Sequence, residues 1–231
     1  SQDTINFISN WTKENLMKLN ESKCSYLVFT RTKTDFTTRL TVNNTFLERK
    51  SVCKLLGVWI SEDLTWTRNC KEICMKSYSR LSMITKLKYA GVGFEDLMEI
   101  YILFIRSIAE YYSVAYHTSL TKEDTNKLEQ IQKTCLKVLL GDMYINYSAA
   151  LEMCGLTVLS ERRQDHCLDF ARKCLKHEKN SRLFPLKSGA LNLHDIRNKE
   201  PFEVNFARGD AYKISAIPFC QRLMNANYKL K

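Results

Sequence analysis

Cysteine and histidine residues at helical spacing are the first groups in this sequence whose types could do chemistry. Six of them are candidate metal ligands: Cys70, Cys74, His166, Cys167, Cys174 and His177. A structural zinc site needs two tight ligand pairs that a turn brings together. Here the candidates recur within apolar stripes, where a buried cysteine behaves as a small apolar residue. The pattern therefore favours core cysteines over a zinc site.

Short motifs of nucleophilic catalysis are missing from the sequence. Gly-x-Ser-x-Gly, the Walker loop and His-Glu-x-x-His do not occur. Two-metal chemistry needs carboxylates that converge on the ions. Neither Glu62-Asp63 nor Glu123-Asp124 stands at the end of a predicted buried strand. We therefore expect no metal-dependent catalytic centre within these residues.

A basic segment lies between Trp66 and Ala90. It contains one acid, Glu72, and six cationic residues, which gives a local charge of +5. The six are Arg68, Lys71, Lys76, Arg80, Lys86 and Lys88. Such a density on one helix suits binding to a polyphosphate backbone. The alternative is a solvated helix face, which is the commoner meaning of a charge run.

The bulk composition is that of a basic globular protein. The 231 residues are 45% hydrophobic and 26% charged, which is enough for a buried core. Thirty-five Lys and Arg against 25 Asp and Glu give a net charge of +10, which favours nucleic acid or another anionic partner. A merely soluble basic protein is the alternative that charge alone leaves open.

Cysteine usage and hydropathy bear on the compartment. Nine cysteines without a secretory pattern predict reduced thiols in an intracellular protein, either nuclear or cytoplasmic. The most apolar run, Ile100 to Ile105, is followed by Arg106 and Glu110 and is too short to span a bilayer. No membrane partner is therefore expected. The sequence begins without an initiator Met, as we expect of a fragment.

Alternation with a period of two, from about residue 24 to 60, predicts a small antiparallel sheet. The predicted strands are Cys24 to Thr30, Thr37 to Val42, Thr45 to Arg49 and Cys53 to Ile60. Asn43-Asn44 separates the second strand from the third, and asparagine tolerates the positive φ of a tight hairpin turn.

From Trp66 onward the period is that of a helix. The predicted apolar face consists of Cys70, Ile73, Cys74, Ser77, Leu81 and Ile84. Arg68, Lys71, Lys76 and Lys86 fall mostly on the opposite face, with Arg80 at its flank. A second helix, from about Phe94 to Tyr116, is apolar almost all round and is predicted to be buried in a bundle.

Further helices are predicted in the second half of the sequence. Thr121 followed by Asp124 indicates a capped start for a third helix, which Gly141 ends. Two more are predicted over Ser148 to Cys154 and Leu159 to His177. After Pro185 the periodicity fades, and Leu191 to Lys231 is predicted to be a polar, basic, partly ordered tail. The predicted fold class is α+β and mostly helical, with a small antiparallel β unit that leads into a helical bundle.

Two motifs in order along the chain resemble reverse transcriptases of non-LTR retrotransposons. Trp11 to Phe29, W-T-K-E-N-L-M-K-L-N-E-S-K-C-S-Y-L-V-F, is similar to the segment after the catalytic motif, where Trp, Leu-x-Leu-Asn-x-x-Lys and a strand recur. Lys54 to Ile60, K-L-L-G-V-W-I, resembles the Tyr-Leu-Gly-Val primer-grip hairpin between palm and thumb. Glu62 to Trp66 and the helices after it resemble the thumb, and 160–163 and 197–199 resemble the region beyond it. The resemblance covers nearly the whole chain.

The resemblance implies roles for two residues. In such polymerases the lysine at the position of Lys23 lies near the phosphates of the incoming nucleotide, and Lys23 would be a general acid toward the leaving pyrophosphate. A surface lysine at a strand start is the alternative. Gly57, which lacks a Cβ, would let the primer backbone approach the hairpin, and the alternative is a strand bulge.

Departures from the family pattern limit what the chain is expected to do. The catalytic carboxylates, in a Phe-x-x-Asp-like motif and in Phe/Tyr-Ala-Asp-Asp, are absent and are expected before residue 1. Mg²⁺ is expected in the complete parent enzyme, and no cofactor is expected in this chain. Leu55 stands where Tyr is usual and Cys24 where Thr is common, which leaves a diverged or inactivated copy open. Neither fingers nor an endonuclease is recognised.

With the resemblance, four parts are predicted. They are a palm remnant with a primer-grip-like hairpin (1–62), a thumb-like helical bundle (63–146), post-thumb helices (147–185) and a basic, partly ordered tail (186–231). The predicted function is to bind an RNA or DNA primer–template duplex through Gly57 and the six basic residues, without polymerising alone. The upstream fingers and palm of the parent polyprotein are the other expected partner. A stand-alone nucleic-acid-binding module from such an element and a helical protein-interaction domain remain alternatives.

Overall fold

The structure is a computed structural model that describes residues 2–30, 39–187, 200–206 and 208–227. It divides into two compact units, Ser1–Arg68 and Asn69–Lys231. It is mostly helical with small β pairs, as the sequence predicts. The division into four parts stays a prediction.

The first unit combines one helix with three short strand pairs. Its elements are α1 (Gln2–Glu14), a 3₁₀ turn (Glu21–Lys23), β1 (Ser25–Tyr26), β2 (Thr41–Val42), β3 (Thr45–Phe46), β4 (Glu48–Arg49), β5 (Val52–Leu55) and β6 (Val58–Ser61). β2 pairs with β3 and β5 with β6 in antiparallel hairpins, whereas β1 pairs with β4 in parallel. Antiparallel hairpins are therefore confirmed, but they do not join into one sheet.

All four predicted strands differ from those observed. The strand predicted over Thr45 to Arg49 is divided into β3 and β4, which have different partners, and of Thr37 to Val42 only Thr41–Val42 is a strand among the described residues. The strand predicted over Cys24 to Thr30 is reduced to Ser25–Tyr26. The single strand predicted over Cys53 to Ile60 is wrong, because the chain reverses between β5 and β6. Thr37 and Thr38, which begin another predicted strand, lie outside the described residues.

Both hairpins use two-residue turns with positive φ. The first turn is Asn43 (φ 46°) and Asn44 (φ 65°), as the sequence predicts. The second is Leu56 (φ 47°) and Gly57 (φ 89°). Such paired left-handed residues match the twist of the flanking strands, which is why these turns close tight hairpins. Leucine is a costly residue in this conformation.

The second unit is helical. The long helix α2 (Thr67–Tyr89) leads into this unit. The elements that follow are α3 (Phe94–Ile100), a π-helical turn (Tyr101–Arg106), α4 (Ser107–Glu110), α5 (Ser113–Tyr116), α6 (Lys122–Leu140), α7 (Tyr147–Met153), α8 (Leu159–Leu175), α9 (Glu178–Ser181), α10 (Asp210–Lys213) and α11 (Ala216–Ala226). The predicted cap of α6 is confirmed, since Thr121 Oγ1 accepts from the Asp124 amide at 3.0 Å. Gly141 follows the last residue of α6 with φ 58°.

The continuous helix predicted from Phe94 to Tyr116 is wrong. The helix passes through the π-helical turn and ends at Glu110, and Tyr112 then takes a left-handed conformation (φ 57°) before α5 begins. It is also not buried all round: Tyr101 and Ile105 are fully buried, whereas Leu103 is 57% exposed. A π-helical turn shifts the register of side chains around the axis, which interrupts a periodic stripe.

Part of the predicted tail belongs to the core. α11 packs on α8, and one apolar cluster joins the two helices to Phe184 and Phe202. Its members from the two helices are Cys167, Ala171, Cys174, Cys220, Leu223 and Met224. Residues 188–199, 207 and 228–231 of the predicted tail lie outside the described residues. All nine cysteines are free thiols in the structure.

Candidate nucleic-acid interface

The predicted apolar stripe of α2 is confirmed. Five of its six members are buried: Cys70, Ile73, Ser77, Leu81 and Ile84; Cys74 is half-buried. At 3.6 residues per turn, Lys86 lies about 180° around the helix from the centre of that stripe, and Lys71 and Lys76 lie at least about 100° from it. All three lysines are exposed. We call Lys71, Lys76 and Lys86 the α2 basic face.

The α2 basic face carries little neutralising charge. Lys76 pairs with Glu72 one turn away, at 3.5 Å. Within the described ranges, Lys71 and Lys86 have no ion pair. Exposed ammonium groups on flexible stems can reach phosphates as point charges. This arrangement suits contact with a polyanion along one side of the helix.

Lys88 does not belong to this face. It follows Ile84 by four residues and Leu81 by seven, which places it on the buried stripe. Its Nζ donates to the carbonyl oxygens of Val138, at 2.6 Å, and Leu139, at 3.0 Å. The ammonium group therefore caps the C-terminal end of α6, where free carbonyls and the helix dipole favour a cation.

Arg80 also has an internal partner. Its Nη1 donates to the carbonyl oxygen of Phe104 at 2.6 Å. Phe104 lies in the π-helical turn, whose widened hydrogen-bonding pattern leaves carbonyl groups to be satisfied from outside. The guanidinium of Arg80 is thus held against this turn, at the flank of α2 where the sequence places it.

Arg68 stacks on an aromatic ring within the first unit. Its guanidinium carbon lies 4.9 Å from the centroid of the Trp59 ring, and Lys54 Nζ lies 5.7 Å from the same centroid. Both are cation–π distances. The hairpin formed by β5 and β6 therefore carries two cations on one tryptophan.

Gly57 lies in the turn of that hairpin. The strands pair in continuous register from Val52 opposite Ser61 to Leu55 opposite Val58, so Gly57 is a turn residue and the alternative of a strand bulge is wrong. Its φ of 89° is unfavourable for any residue with a Cβ. The neighbouring Leu55 and Leu56 are 57% and 73% exposed.

Lys23 is the last residue of the 3₁₀ turn before β1. Its side chain is exposed, and its backbone amide donates to the Asn20 carbonyl at 3.1 Å. The turn is anchored because Asn43 Nδ2 donates to Glu21 Oε1 at 2.8 Å, a bond that lowers the pKa of Glu21. The exposed side chain is that of a surface lysine at a strand start, and the general-acid role that the resemblance implies stays a prediction.

A second group of charges surrounds Glu110, a residue that no sequence motif singles out. Arg162 forms a bidentate pair with Glu110. Arg106 Nε lies 3.7 Å and His166 Nε2 lies 3.9 Å from the same carboxylate. The hydrogen bond to Glu110 raises the pKa of Arg162. Burial lowers the pKa of Arg106, and repulsion by the charge of Arg162 lowers it further. In the sequence, Arg106 and Glu110 stand four residues apart with opposite charges, and this spacing could have predicted their ion pair.

Arg163, next to Arg162, points into the core. Its side chain is fully buried, and its three guanidinium nitrogens have no hydrogen-bond partner among the described residues. Burial lowers the pKa of Arg163. Consecutive positions lie about 100° apart around a helix, so α8 places Arg162 in an ion pair and Arg163 in the interior.

The candidate zinc ligands do not converge. The described residues contain no group of three or more His, Cys, Asp or Glu that could hold a metal ion. Burial raises the pKa of Cys70 to about 12, and metal ligation requires the thiolate. His166 lies against Glu110 instead. Among the helices that the structure describes, none is long and apolar enough to cross a membrane.

No protein-family model, curated protein or solved structure matches this chain. The likeness to reverse transcriptases therefore rests on the two sequence motifs, Trp11 to Phe29 and Lys54 to Ile60.

Proposed function

We propose that this chain is the C-terminal palm, thumb and post-thumb part of a non-LTR retrotransposon RNA-directed DNA polymerase. Its role is to hold a primer–template duplex. The observation that carries this role is the α2 basic face, with Lys71, Lys76 and Lys86 exposed opposite a buried stripe. The two motifs upstream of α2, in the order that the family shows, support the family.

Duplex binding through such a face needs no base recognition. Lysines that contact phosphates release condensed counterions, so affinity falls log-linearly with salt concentration and depends little on sequence. Phosphate contacts position a duplex without specifying bases. Lys88 and Arg80 contribute less than the sequence predicts, because each donates to carbonyl oxygens within the chain.

The decisive experiment replaces Lys71, Lys76 and Lys86 together with Gln and measures the salt dependence of binding to a labelled primer–template duplex. We expect weaker binding and a salt slope flatter by roughly two to three units, one for each phosphate that a lysine no longer neutralises. Lys13, Lys122 and Lys179, exposed on three other helices, provide a control triple variant with the same change in charge.

Circular dichroism checks that both triple variants are folded. An unchanged slope in the folded α2 variant, or an equal change in the control, would remove duplex binding from α2. A protein-interaction domain with incidental charge is then the better explanation.

The proposal also assigns chemistry to the complete enzyme. The carboxylates that would hold Mg²⁺ are not in this sequence, so primer extension by the purified chain with Mg²⁺ and nucleotides is expected to fail. In the full-length parent, Lys23→Ala is expected to slow single-turnover incorporation at least ~100-fold, the usual contribution of a general acid. A rate within about twofold of the parent enzyme would leave Lys23 as a surface lysine.

A further inference from the structure

Two buried cysteines meet where α11 packs on α8. Cys167 of α8 and Cys220 of α11 are both fully buried, and both belong to the apolar cluster that joins the two helices. Cys220 Sγ donates to the carbonyl oxygen of Cys167 at 3.5 Å, across 53 positions of the sequence. The two thiols also hydrogen-bond to each other. Thiols in direct contact can be joined into a disulfide with little movement of the backbone.

The thiol of Cys167 differs from other buried thiols of the chain. Burial raises the pKa of Cys70 and the pKa of Cys135 to about 12. The hydrogen bond with Cys220 instead lowers the pKa of Cys167, and the positive charge of Arg163 lowers it further, although burial opposes both. The same hydrogen bond raises the pKa of Cys220. Because the thiolate is the nucleophile in disulfide exchange, Cys167 is the attacking thiol of this pair.

Arg163 stands one helical turn before Cys167 on α8. Its side chain is fully buried, and its guanidinium nitrogens have no hydrogen-bond partner among the described residues. Glu129 and Glu110 attract its charge through space. A buried cation without hydrogen bonds is costly, and reactive cysteines are commonly found beside arginine or lysine. Support of a thiolate at Cys167 gives this guanidinium a role.

We propose that Cys167 and Cys220 form a reversible disulfide that locks α11 to α8. Cys167 Sγ attacks one sulfur of a small-molecule disulfide, whose S–S bond breaks and releases one thiolate. Cys220 gives its proton to that thiolate and attacks the Cys167 sulfur of the mixed disulfide, which releases the second small thiolate. Two protein thiols are thereby oxidised, and one small disulfide is reduced to two thiols.

The oxidant reaches the pair when α11 separates from α8, because both sulfurs are buried. α11 is the last helix of the described residues, and Asn225 and Gln221 hold it through side-chain hydrogen bonds to Phe202 and Leu183. Elements held by few contacts open without global unfolding. The disulfide would prevent this opening, so the lock is set by an oxidising environment. It goes beyond duplex binding by α2 and does not depend on it.

Peptide mapping of the folded full chain tests the pairing. The chain is incubated with glutathione disulfide, its free thiols are alkylated, and it is digested with trypsin without reduction. Trypsin separates the three cysteines of the cluster into peptides 164–172, 174–176 and 214–222. We expect 164–172 joined to 214–222, and we expect dithiothreitol to separate them. If Cys167 and Cys220 stay thiols in the folded chain, or if Cys220 pairs with Cys174, the proposal is overturned.

Variants assign the order of the two steps. Cys220→Ala should stop at the mixed disulfide of Cys167 with glutathione, whereas Cys167→Ala should leave Cys220 a thiol. Cys174→Ala, two turns away on α8, is the matched control and should form the disulfide as the parent does. A mixed disulfide on Cys220 in the Cys167 variant would contradict the assignment of Cys167 as the attacking thiol. Circular dichroism checks that each variant is folded.

Arg163→Met tests the positioning charge. Each unit by which the pKa of Cys167 rises lowers its thiolate fraction tenfold, while the greater nucleophilicity recovers about threefold, so oxidation should slow at least about threefold. Hydrogen exchange of the α11 amides in the same variant shows whether the helix opens as often as in the parent. An unchanged oxidation rate at equal opening removes Arg163 from the site.

Hydrogen exchange also tests the lock itself. Exchange of the α11 amides should slow at least about tenfold in the oxidised parent, because the disulfide holds the helix on α8, and exchange in α2 should stay within about twofold. Equal exchange of α11 in the oxidised and reduced chains would show that the disulfide locks nothing.

Discussion

Lys88 on α2 caps α6, with its Nζ 2.6 Å from the carbonyl oxygen of Val138. The contact joins residues fifty positions apart in the sequence, and it fixes the C-terminal end of α6 against the last turn of α2. A lysine that the charge pattern assigns to a nucleic-acid surface is therefore a structural residue. Methionine at this position keeps most of the stem and removes the cap.

Lys88→Met should lower the free energy of unfolding by about 1–2 kcal/mol, because two carbonyl groups lose a charged donor. Urea unfolding followed by circular dichroism measures the change. Lys86→Met, on the exposed side of the same helix, should stay within about 0.5 kcal/mol. Affinity for the duplex should weaken more in Lys86→Met than in Lys88→Met, which is the reverse of the order expected for stability. Equal stabilities for the two variants would contradict the cap.

Glu110 holds Arg106, the last residue of the π-helical turn, and Arg162 of α8, so this carboxylate should be costly to neutralise. The side chain of Glu110 is only 12% exposed, and Glu110→Gln leaves Arg162 without its bidentate partner. We expect the free energy of unfolding to fall by about 2–3 kcal/mol. The control is Glu123→Gln, which breaks a pair with Lys127 at side chains 78% and 47% exposed. That change should cost at most about 1 kcal/mol. A similar loss at both sites would show that the Glu110 cluster adds nothing beyond a surface ion pair.

His117 should make stability depend on pH. Burial lowers its pKa from 6.5 to about 4, and Arg163 contributes to the shift. Below pH 6.5 the unfolded chain gains a proton that the folded chain takes up only near pH 4, so this stability is complete above pH 6.5 and is lost as the pH falls toward 4. Partial solvent access reduces the effect to on the order of 1–2 kcal/mol.

The pH effect is measured by urea unfolding at several pH values. His117→Phe should flatten the stability profile between pH 6.5 and 4, and it should still pack because the native ring already meets Phe219 edge-on at 5.6 Å. A Gln substitution of the exposed His177 serves as the control and should leave the profile as it is. If the Phe variant keeps the full pH dependence, His117 is not its source.

The second hairpin turn offers a test in the first unit. Leu56 has φ 47° at a position where Asn is favoured, so Leu56→Asn should stabilise the protein by about 0.5–1 kcal/mol. Gly57→Ala should destabilise it by about 1 kcal/mol, because its φ is 89°. Thermal unfolding compares the two. A Leu56→Asn variant that is less stable than the parent would show that the exposed leucine packs on something that the turn geometry does not reveal.

The features that were predicted correctly from the sequence are those that a local residue pattern determines. The buried stripe of α2 and the cap of α6 are local patterns, and both are confirmed. The position of Lys88 was also readable, since four residues after Ile84 falls on the same face. α11 had a signal in Ser215 and Pro218, which suit the first turn of a helix, but its apolar stripe is short and was not recognised.

Other features depend on contacts distant in the chain. No Gly or Pro marks the break at Tyr112. Its conformation is fixed because the flanking Ser113 and Glu110 contact His166 and Arg162 of α8, about fifty residues later in the chain. The parallel pairing of β1 with β4 has no local pattern. The neighbours Arg162 and Arg163 look alike in sequence, yet only the packing of α8 decides which one reaches Glu110.

Those two arginines should respond oppositely to the same substitution. Arg163 is fully buried, and none of its guanidinium nitrogens has a partner among the described residues, so its charge is held in the interior at a cost in free energy. Arg163→Met keeps a long apolar side chain and removes that charge, and it should raise the free energy of unfolding by about 1–2 kcal/mol. Arg162→Met removes the partner of Glu110 and should lower it by about 2–3 kcal/mol.

Urea unfolding at neutral pH separates the two outcomes. Arg163→Ala gives a further comparison, because it removes the charge and also leaves a cavity, so it should be less stable than Arg163→Met. If Arg163→Met is instead destabilised as much as Arg162→Met, the buried guanidinium is satisfied by bound water or by Glu129, whose Oε2 lacks a partner in the part of the chain that the structure describes. The adjacent arginines would then be two halves of one polar network joining α6, α4 and α8.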